Sequence, residues 1–230
     1  MLIGPQNLTV PVNRVRSRIR HAAIAAGRDP DAVVLVAVTK AKTAENVRAA
    51  ATAGVTDLGE SYLQEALAKM DQLTDLSLCW HFIGAVQSNK TRAIADRFDW
   101  VHSVDRLNIA QRLSERRAFH APPLNVCIQV ALEPEPNKGG VAPGGLAKLA
   151  AAVAELPRLR LRGLMCVPPP QPHAAAMRPA FARLRGLLEE LNAGGLELDT
   201  LSMGMSGDFE SAIAEGATLV RIGTALFGAR

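Results

Sequence analysis

Aromatic side chains are scarce in this chain: six Phe, two Trp and one Tyr make up 4% of its 230 residues. Proteins that bind single-stranded nucleic acid or RNA stack bases on such rings, and little here could do so. Cysteine is equally sparse. Cys79, Cys127 and Cys166 are odd in number, widely separated and set among apolar residues, with no Cys-x-x-Cys pair. They read as buried structural thiols in a reducing compartment. The five histidines, His21, His81, His102, His120 and His173, lack metal-ligand spacing, so no metal site is expected. No apolar run approaches the roughly 18–20 residues that span a bilayer. Residues 1–6 lack the charged start and apolar stretch of a signal peptide. A cytoplasmic protein with no membrane partner is expected.

What is present is an ordinary globular mixture, 48% hydrophobic and 21% charged. The net charge of +4 suggests nucleic acid as a partner, and Arg14, Arg16, Arg18 and Arg20 form the most basic stretch. Periodicity favours a plainer role. Val12, Val15, Ile19, Ala22, Ala23 and Ala26 recur at helical spacing, which puts the arginines on the solvated side of an N-terminal helix that Gly27 ends.

The run 33–38, Val-Val-Leu-Val-Ala-Val, is a strand with both faces buried. Apolar runs recur at 54–58, 78–83, 100–104, 124–130, 159–166, 198–203 and 218–222, eight in all. Between them lie helical patterns over 44–53, 61–73, 89–98, 106–117, 146–156, 177–192 and 209–215. Such alternation implies right-handed βαβ units and a parallel sheet. Eight strands, the first five starting about 22 to 24 residues apart, point to a (β/α)₈ TIM barrel. No Gly-x-Gly-x-x-Gly follows the first strand, against a dinucleotide fold. Residues 133–144, rich in Pro and Gly, read as an exposed loop, and 168–172 as a second.

Function in such a barrel gathers where strands end. Lys40 closes the first strand, where its amine would enter the barrel mouth against apolar walls, a setting suited to a Schiff base. A solvated charge is the competing role; Lys42, at the start of the next helix, is expected to be exposed. The segment 201–209, Leu-Ser-Met-Gly-Met-Ser-Gly-Asp-Phe, leaves the seventh strand through small residues into a helix that Ser206 or Asp208 could cap. The eighth strand ends Arg221-Ile222-Gly223-Thr224. Loops after strands seven and eight form the recurrent phosphate site of this fold, so the two segments are expected to share one phosphate. Ordinary capping and turn glycine compete with that reading. A lysine on strand one facing a phosphate cradle suggests pyridoxal phosphate held at both ends. Arg221 could then sit beside the pyridine nitrogen, where a permanent cation would keep that nitrogen unprotonated; a structural salt bridge is its other possible role. Glu133 and Glu135 flank prolines, a poor setting for paired acid–base work.

The segments 36–42 (Val-Ala-Val-Thr-Lys-Ala-Lys), 59–62 (Gly-Glu-Ser-Tyr), 80–84 (Trp-His-Phe-Ile-Gly), 201–206 (Leu-Ser-Met-Gly-Met-Ser) and 220–224 (Val-Arg-Ile-Gly-Thr) together resemble the pyridoxal phosphate homeostasis proteins, single-domain relatives of the alanine racemase barrel. The resemblance covers nearly the whole chain in order. It implies one barrel domain over 1–230, an internal aldimine on Lys40, phosphate contacts from Ser206, Gly207, Gly223 and Thr224, and Arg221 at the pyridine nitrogen. It also implies handling of pyridoxal 5'-phosphate (storage, buffering or delivery) with little turnover, transient contact with apo enzymes that use it, and a monomer by default. Two positions depart from the family pattern: Ser61 stands where Asn is usual, and Ala85 where a bulkier residue is common. Lys138 matches a loop lysine that could take cofactor transiently.

Two other functions fit some of these residues. An amino-acid racemase would need a second base opposite Lys40, and the only tyrosine is Tyr62. A cofactor-free Schiff-base aldolase would use the lysine and the phosphate site without the family motifs. The barrel reading leaves no residues for the additional β domain of the catalytic racemases, which favours binding over catalysis.

Overall fold

The computed structural model describes residues 7–133 and 139–228. Eight strands, β1 (Val34–Val38), β2 (Asp57–Glu60), β3 (Cys79–Phe82), β4 (Trp100–Val104), β5 (Leu124–Gln129), β6 (Leu159–Met165), β7 (Thr200–Ser202) and β8 (Leu219–Ile222), close into a barrel in sequence order, every neighbouring pair parallel. The expected (β/α)₈ barrel is what the chain forms. Its helices are α1 (Thr9–Ala25), α2 (Ala44–Thr52), α3 (Leu63–Gln72), α4 (Thr91–Arg97), α5 (Leu107–Arg116), α6 (Pro143–Ala154), α7 (Arg178–Ala193), α8 (Phe209–Ala214) and α9 (Thr224–Phe227).

The main apolar core lies between strands and helices. Leu35, Leu58, Phe82, Val126, Leu164 and Val220 face outward and meet Val47, Ala66, Ile94, Leu113, Phe181 and Phe209 on the helices. Alternation along each strand turns the intervening residues inward.

Two elements differ from the sequence reading for clear reasons. Pro143 and Gly144, read as loop, open the first turn of α6. Proline lacks only an N–H that the first helical turn leaves unpaired anyway, and its fixed φ suits that position. Among the described residues, the one helix after the eighth strand is the four-residue α9. The N-terminal helix fills the gap: α1 packs against α8, α9 and α2, where an eighth outer helix belongs. Val12, Val15, Ile19 and Ala23 are buried there. Arg14 and Arg20 are exposed as expected, but Arg16 and Arg18 anchor the helix. Arg16 Nη2 donates to the Gly54 carbonyl at 2.6 Å, and Arg18 pairs with Glu210 at 2.6 Å.

Closure between β6 and β7 depends on Gly163. It sits where the β5–β6 register shifts, and a Cβ there would lie 1.8 Å from the Thr200 carbonyl oxygen. Gly163→Ala is therefore expected to cost about 1–3 kcal/mol, the usual penalty for an overpacked site. Thermal denaturation of the two proteins checks this; an unchanged midpoint would show that the strands have slack.

Candidate functional site

The barrel interior is polar where this fold usually stacks branched apolar side chains. Residues from four strands meet across it. His81 Nδ1 lies 2.9 Å from His102 Nε2, and His102 Nδ1 lies 2.7 Å from Ser202 Oγ. Arg221 Nη1 donates to the same Ser202 Oγ at 2.6 Å, and Nη2 donates to the Cys166 carbonyl at 2.9 Å. Ser202 and Cys166 stand at the C-terminal ends of β7 and β6, so these bonds hold the guanidinium toward the barrel mouth. Arg221 is buried, and no carboxylate lies within ion-pairing distance among the described residues. Desolvation lowers its pKa from the usual arginine value, yet a guanidinium starts so high that it keeps its charge. Burial, followed by the fields of His81 and Arg221, pushes His102 well below the ordinary histidine range, so its ring is neutral.

Lys40 is half-buried in the turn after β1 and makes no hydrogen bond or ion pair among the described residues. The backbone around it is tightly held. Lys69 Nζ donates to the Thr39 carbonyl at 2.6 Å, to Glu60 at 2.7 Å and to Glu65 at 2.5 Å, and Thr39 Oγ1 donates to Glu60 at 2.6 Å. On the other side, Ala41 adopts φ 59°, a left-handed conformation costly for a residue with a Cβ. Its N–H donates to Glu65 at 2.7 Å, and the Lys42 N–H closes the turn on the Thr39 carbonyl at 3.0 Å. Glu60 is fully buried, and its second oxygen has no partner. Desolvation raises its pKa above the normal carboxyl value against the pull of Lys69 and Thr39.

The two loops expected to share a phosphate lie side by side. The Ala225 N–H donates to Ser206 Oγ at 3.2 Å, and the Arg221 N–H donates to the Gly204 carbonyl at 3.0 Å. Gly204 must be glycine: its φ is 91°, and a Cβ would lie 2.6 Å from that of Ala212. Asp208 precedes α8 but does not cap it; its carboxylate turns back to accept the Met205 N–H at 2.6 Å. Burial raises the Asp208 pKa. Among the described residues, the backbone N–H groups of Ser206, Gly207, Gly223 and Thr224 have no protein acceptor. Ser206 and Gly223 are half-buried, whereas Gly207 and Thr224 are exposed; half-buried N–H groups are rarely left so.

Lys42 lies before α2, which Thr43 caps, and is half-buried with Nζ 5.9 Å from the Phe227 ring centroid. Tyr62 precedes α3 and is 56% exposed. Ser61 and Ala85, the two departures from the family pattern, line one hollow of about 280 Å³ with Tyr62, Phe82, Gln87 and Lys90. Glu133 is exposed; Glu135 and Lys138 lie outside the described residues. Cys127 and Cys166 are buried thiols as read, whereas Cys79 is only partly buried and neighbours His81 and Asp57. Sequence reasoning did not single out Lys69, Glu60 or Ser202. The pairing of Glu65 with Lys69 at i,i+4 was visible, but the reach of Lys69 to β1 and β2 was not.

A half-buried lysine in the turn after β1, a buried arginine on β8 and two bonded loops after β7 and β8 gather at the C-terminal end of the strands of a closed parallel (β/α)₈ barrel, the end at which this fold carries its sites. The family described as "Alanine racemase, N-terminal domain" matches residues 11–230. A pyridoxal phosphate homeostasis protein of Pseudomonas aeruginosa is 63% identical over 219 residues, covering 95% of this chain and 94% of that one. Its counterpart in Escherichia coli K12 is 46% identical over 220 residues, with 94% of each chain covered. PipY of Synechococcus elongatus PCC7942, solved with PLP bound, superimposes with a TM-score of 0.82 at 39% identity and covers 92% of this chain and 100% of that one. This chain belongs to the pyridoxal phosphate homeostasis protein family. No helix among the described residues is long and apolar enough to cross a membrane.

The network under Lys40 makes a prediction with a definite sign. A carboxyl whose pKa is raised in the folded state binds more protons folded than unfolded. Its stabilising contribution is present at low pH and lost as pH rises from the ordinary carboxylate value through the raised one. Glu60→Gln is expected to flatten the stability–pH curve in that window. Lys69→Met leaves Glu60 without its cation and is expected to cost about 3–5 kcal/mol at neutral pH. Denaturant unfolding across pH checks both, and Lys69→Met combined with Glu60→Gln is expected to recover most of the loss.

Proposed function

We propose that this protein holds pyridoxal 5'-phosphate at the mouth of the barrel and serves intracellular homeostasis of that cofactor by storing, buffering or delivering it. The observation carrying this reading is the set of N–H groups on Ser206, Gly207, Gly223 and Thr224 that lack protein acceptors while their two loops are bonded together. Backbone N–H donors on two loops bonded to each other suit a phosphate dianion. Arg221 supports the same assignment: a buried guanidinium with no acid partner suits a neutral acceptor such as a pyridine nitrogen.

Each residue has a distinct task. Lys40 Nζ would hold the cofactor covalently by condensing with its aldehyde carbon, the aldehyde oxygen leaving as water. Lys69 and Glu65 position Lys40 through the Thr39 carbonyl and the Ala41 N–H. Arg221 donates to the ring nitrogen and, being a permanent cation, keeps it from taking a proton, which weakens the ring as an electron sink. A ring held this way is poorly suited to carbanion chemistry, in line with a binding role, and the names of the relatives at 63% and 46% identity support that reading. Work in the cytoplasm as a monomer, with transient contact to apo enzymes that need the cofactor, completes the proposal.

Borohydride reduction of the protein loaded with pyridoxal phosphate is expected to bleach its visible absorbance and leave one adduct, on the peptide bearing Lys40. An adduct elsewhere, or none, overturns the assignment. Ser206→Ala is expected to weaken cofactor binding about tenfold, equivalent to about 1.4 kcal/mol, measured by equilibrium titration. Steady racemisation of alanine that Lys40→Ala abolishes would contradict the binding role.

A further inference from the structure

The opposite end of the barrel carries a cluster that cofactor binding does not use. Asp57 and Cys79 begin adjacent strands and are register partners, and His81 follows Cys79 by two residues on the same inward face. His81 Nε2 lies 3.0 Å from Asp57 Oδ1 and 3.3 Å from Cys79 Sγ, and one donor atom of each residue falls within 4.8 Å of the other two. We propose that Asp57, Cys79 and His81 form a binding site for one divalent transition-metal ion of the zinc class, with water completing a tetrahedral shell.

Several features argue for a built site. The ligand set, one imidazole nitrogen, one thiolate sulfur and one carboxylate oxygen, is the borderline-soft mixture that zinc takes. A tetrahedral ion at about 2.0–2.3 Å from its ligands needs donors about 3.3–3.6 Å apart, so Asp57 Oδ1 and Cys79 Sγ, at 3.0 and 3.3 Å from His81 Nε2, have to move only a few tenths of an ångström away from that nitrogen. The ring of His81 is already fixed. Trp100 stacks on it, with centroids 5.5 Å apart and planes at 9°, and its Nδ1 is bonded to His102 Nε2. A ligating histidine is normally oriented through its other nitrogen in this way. Asp57 is steadied by Thr56 Oγ1 at 2.9 Å. Asp99 holds the strand between Cys79 and His81 by accepting the Trp80 N–H at 2.8 Å. A cleft of about 450 Å³, lined in part by Arg16, Asp31, Val34 and Thr56, reaches Asp57 and offers a way in. The sequence concealed this arrangement because its ligands come from two strands and follow no linear metal motif.

Metal uptake tests the proposal independently of the cofactor. The full-length protein, stripped with a chelator and kept reduced, is dialysed against Zn²⁺ or Co²⁺, with and without pyridoxal phosphate. One ion per chain is expected in both cases. The Co²⁺ form is expected to show thiolate-to-metal charge-transfer absorbance, lost in Cys79→Ser, with affinity reduced at least about tenfold in Asp57→Asn. No ion retained, or an ion whose uptake and spectrum both variants leave unchanged, overturns the site. Neither outcome bears on whether Lys40 carries the cofactor.

Discussion

A buried guanidinium organises this molecule. Placing Arg221 inside the barrel with no acid at ion-pairing distance among the described residues is expensive, since a charge leaves water and the more distant field of Asp208 offsets only part of the loss. It is tolerated because the barrel supplies oriented oxygens, from Ser202 on β7 and the carbonyl of Cys166 after β6. Those bonds tie three strands together at the end where the site lies. They also commit Ser202 Oγ as an acceptor, which is why neutral His102 and then His81 follow in a line across the interior. A wall of branched apolar residues would be easier to bury. The polar interior is the cost of presenting one cation, with donor capacity to spare, beneath the mouth.

The same economy appears at Lys40. Its amine is left without a partner while the backbone on both sides is fixed by Lys69, Glu65 and Glu60. The support for this turn comes from Lys69 and Glu65 on α3 and from Glu60 on β2. Across the mouth, Gly204 lets the loop after β7 approach α8 closely enough for Ser206 to meet Ala225. Three separate devices therefore act at one rim: a held backbone under a lone amine, an unpaired cation, and a pair of bonded loops with spare N–H groups.

Much of this was legible in the residue order, and the reasons for the rest are physical. Eight strands and their order follow from alternating two-sided apolar runs and helical periods, because burial dictates both patterns. Strand limits shifted by up to three residues, as for β2, read from residue 54 and formed from Asp57, since pairing register rather than composition decides where a ladder starts. Lys40, Arg221 and the small residues after β7 and β8 stand out by their places at strand ends, and the family resemblance singles out Ser206, Gly207, Gly223 and Thr224 among them. Lys69 and Ser202 do not stand out, because their partners are 30 and 19 residues away and no local pattern records such contacts. Cys79 looked like another apolar thiol until strand register put Asp57 beside it. The role of α1 was hidden for a similar reason: its periodicity shows an amphipathic helix, but only the shortness of α9 reveals the seat it takes.

The claim on which the account stands is that one site grips a ligand by its phosphate, its ring nitrogen and its aldehyde together. Parallel equilibrium titrations with pyridoxal phosphate and with pyridoxal, which lacks only the phosphate, test it most directly. The account predicts one molecule of pyridoxal phosphate per chain and binding of pyridoxal weaker by at least about a hundredfold, the equivalent of about 2.7 kcal/mol. Equal affinity for the two would mean that the donors on Ser206, Gly207, Gly223 and Thr224 hold no phosphate, and would contradict it.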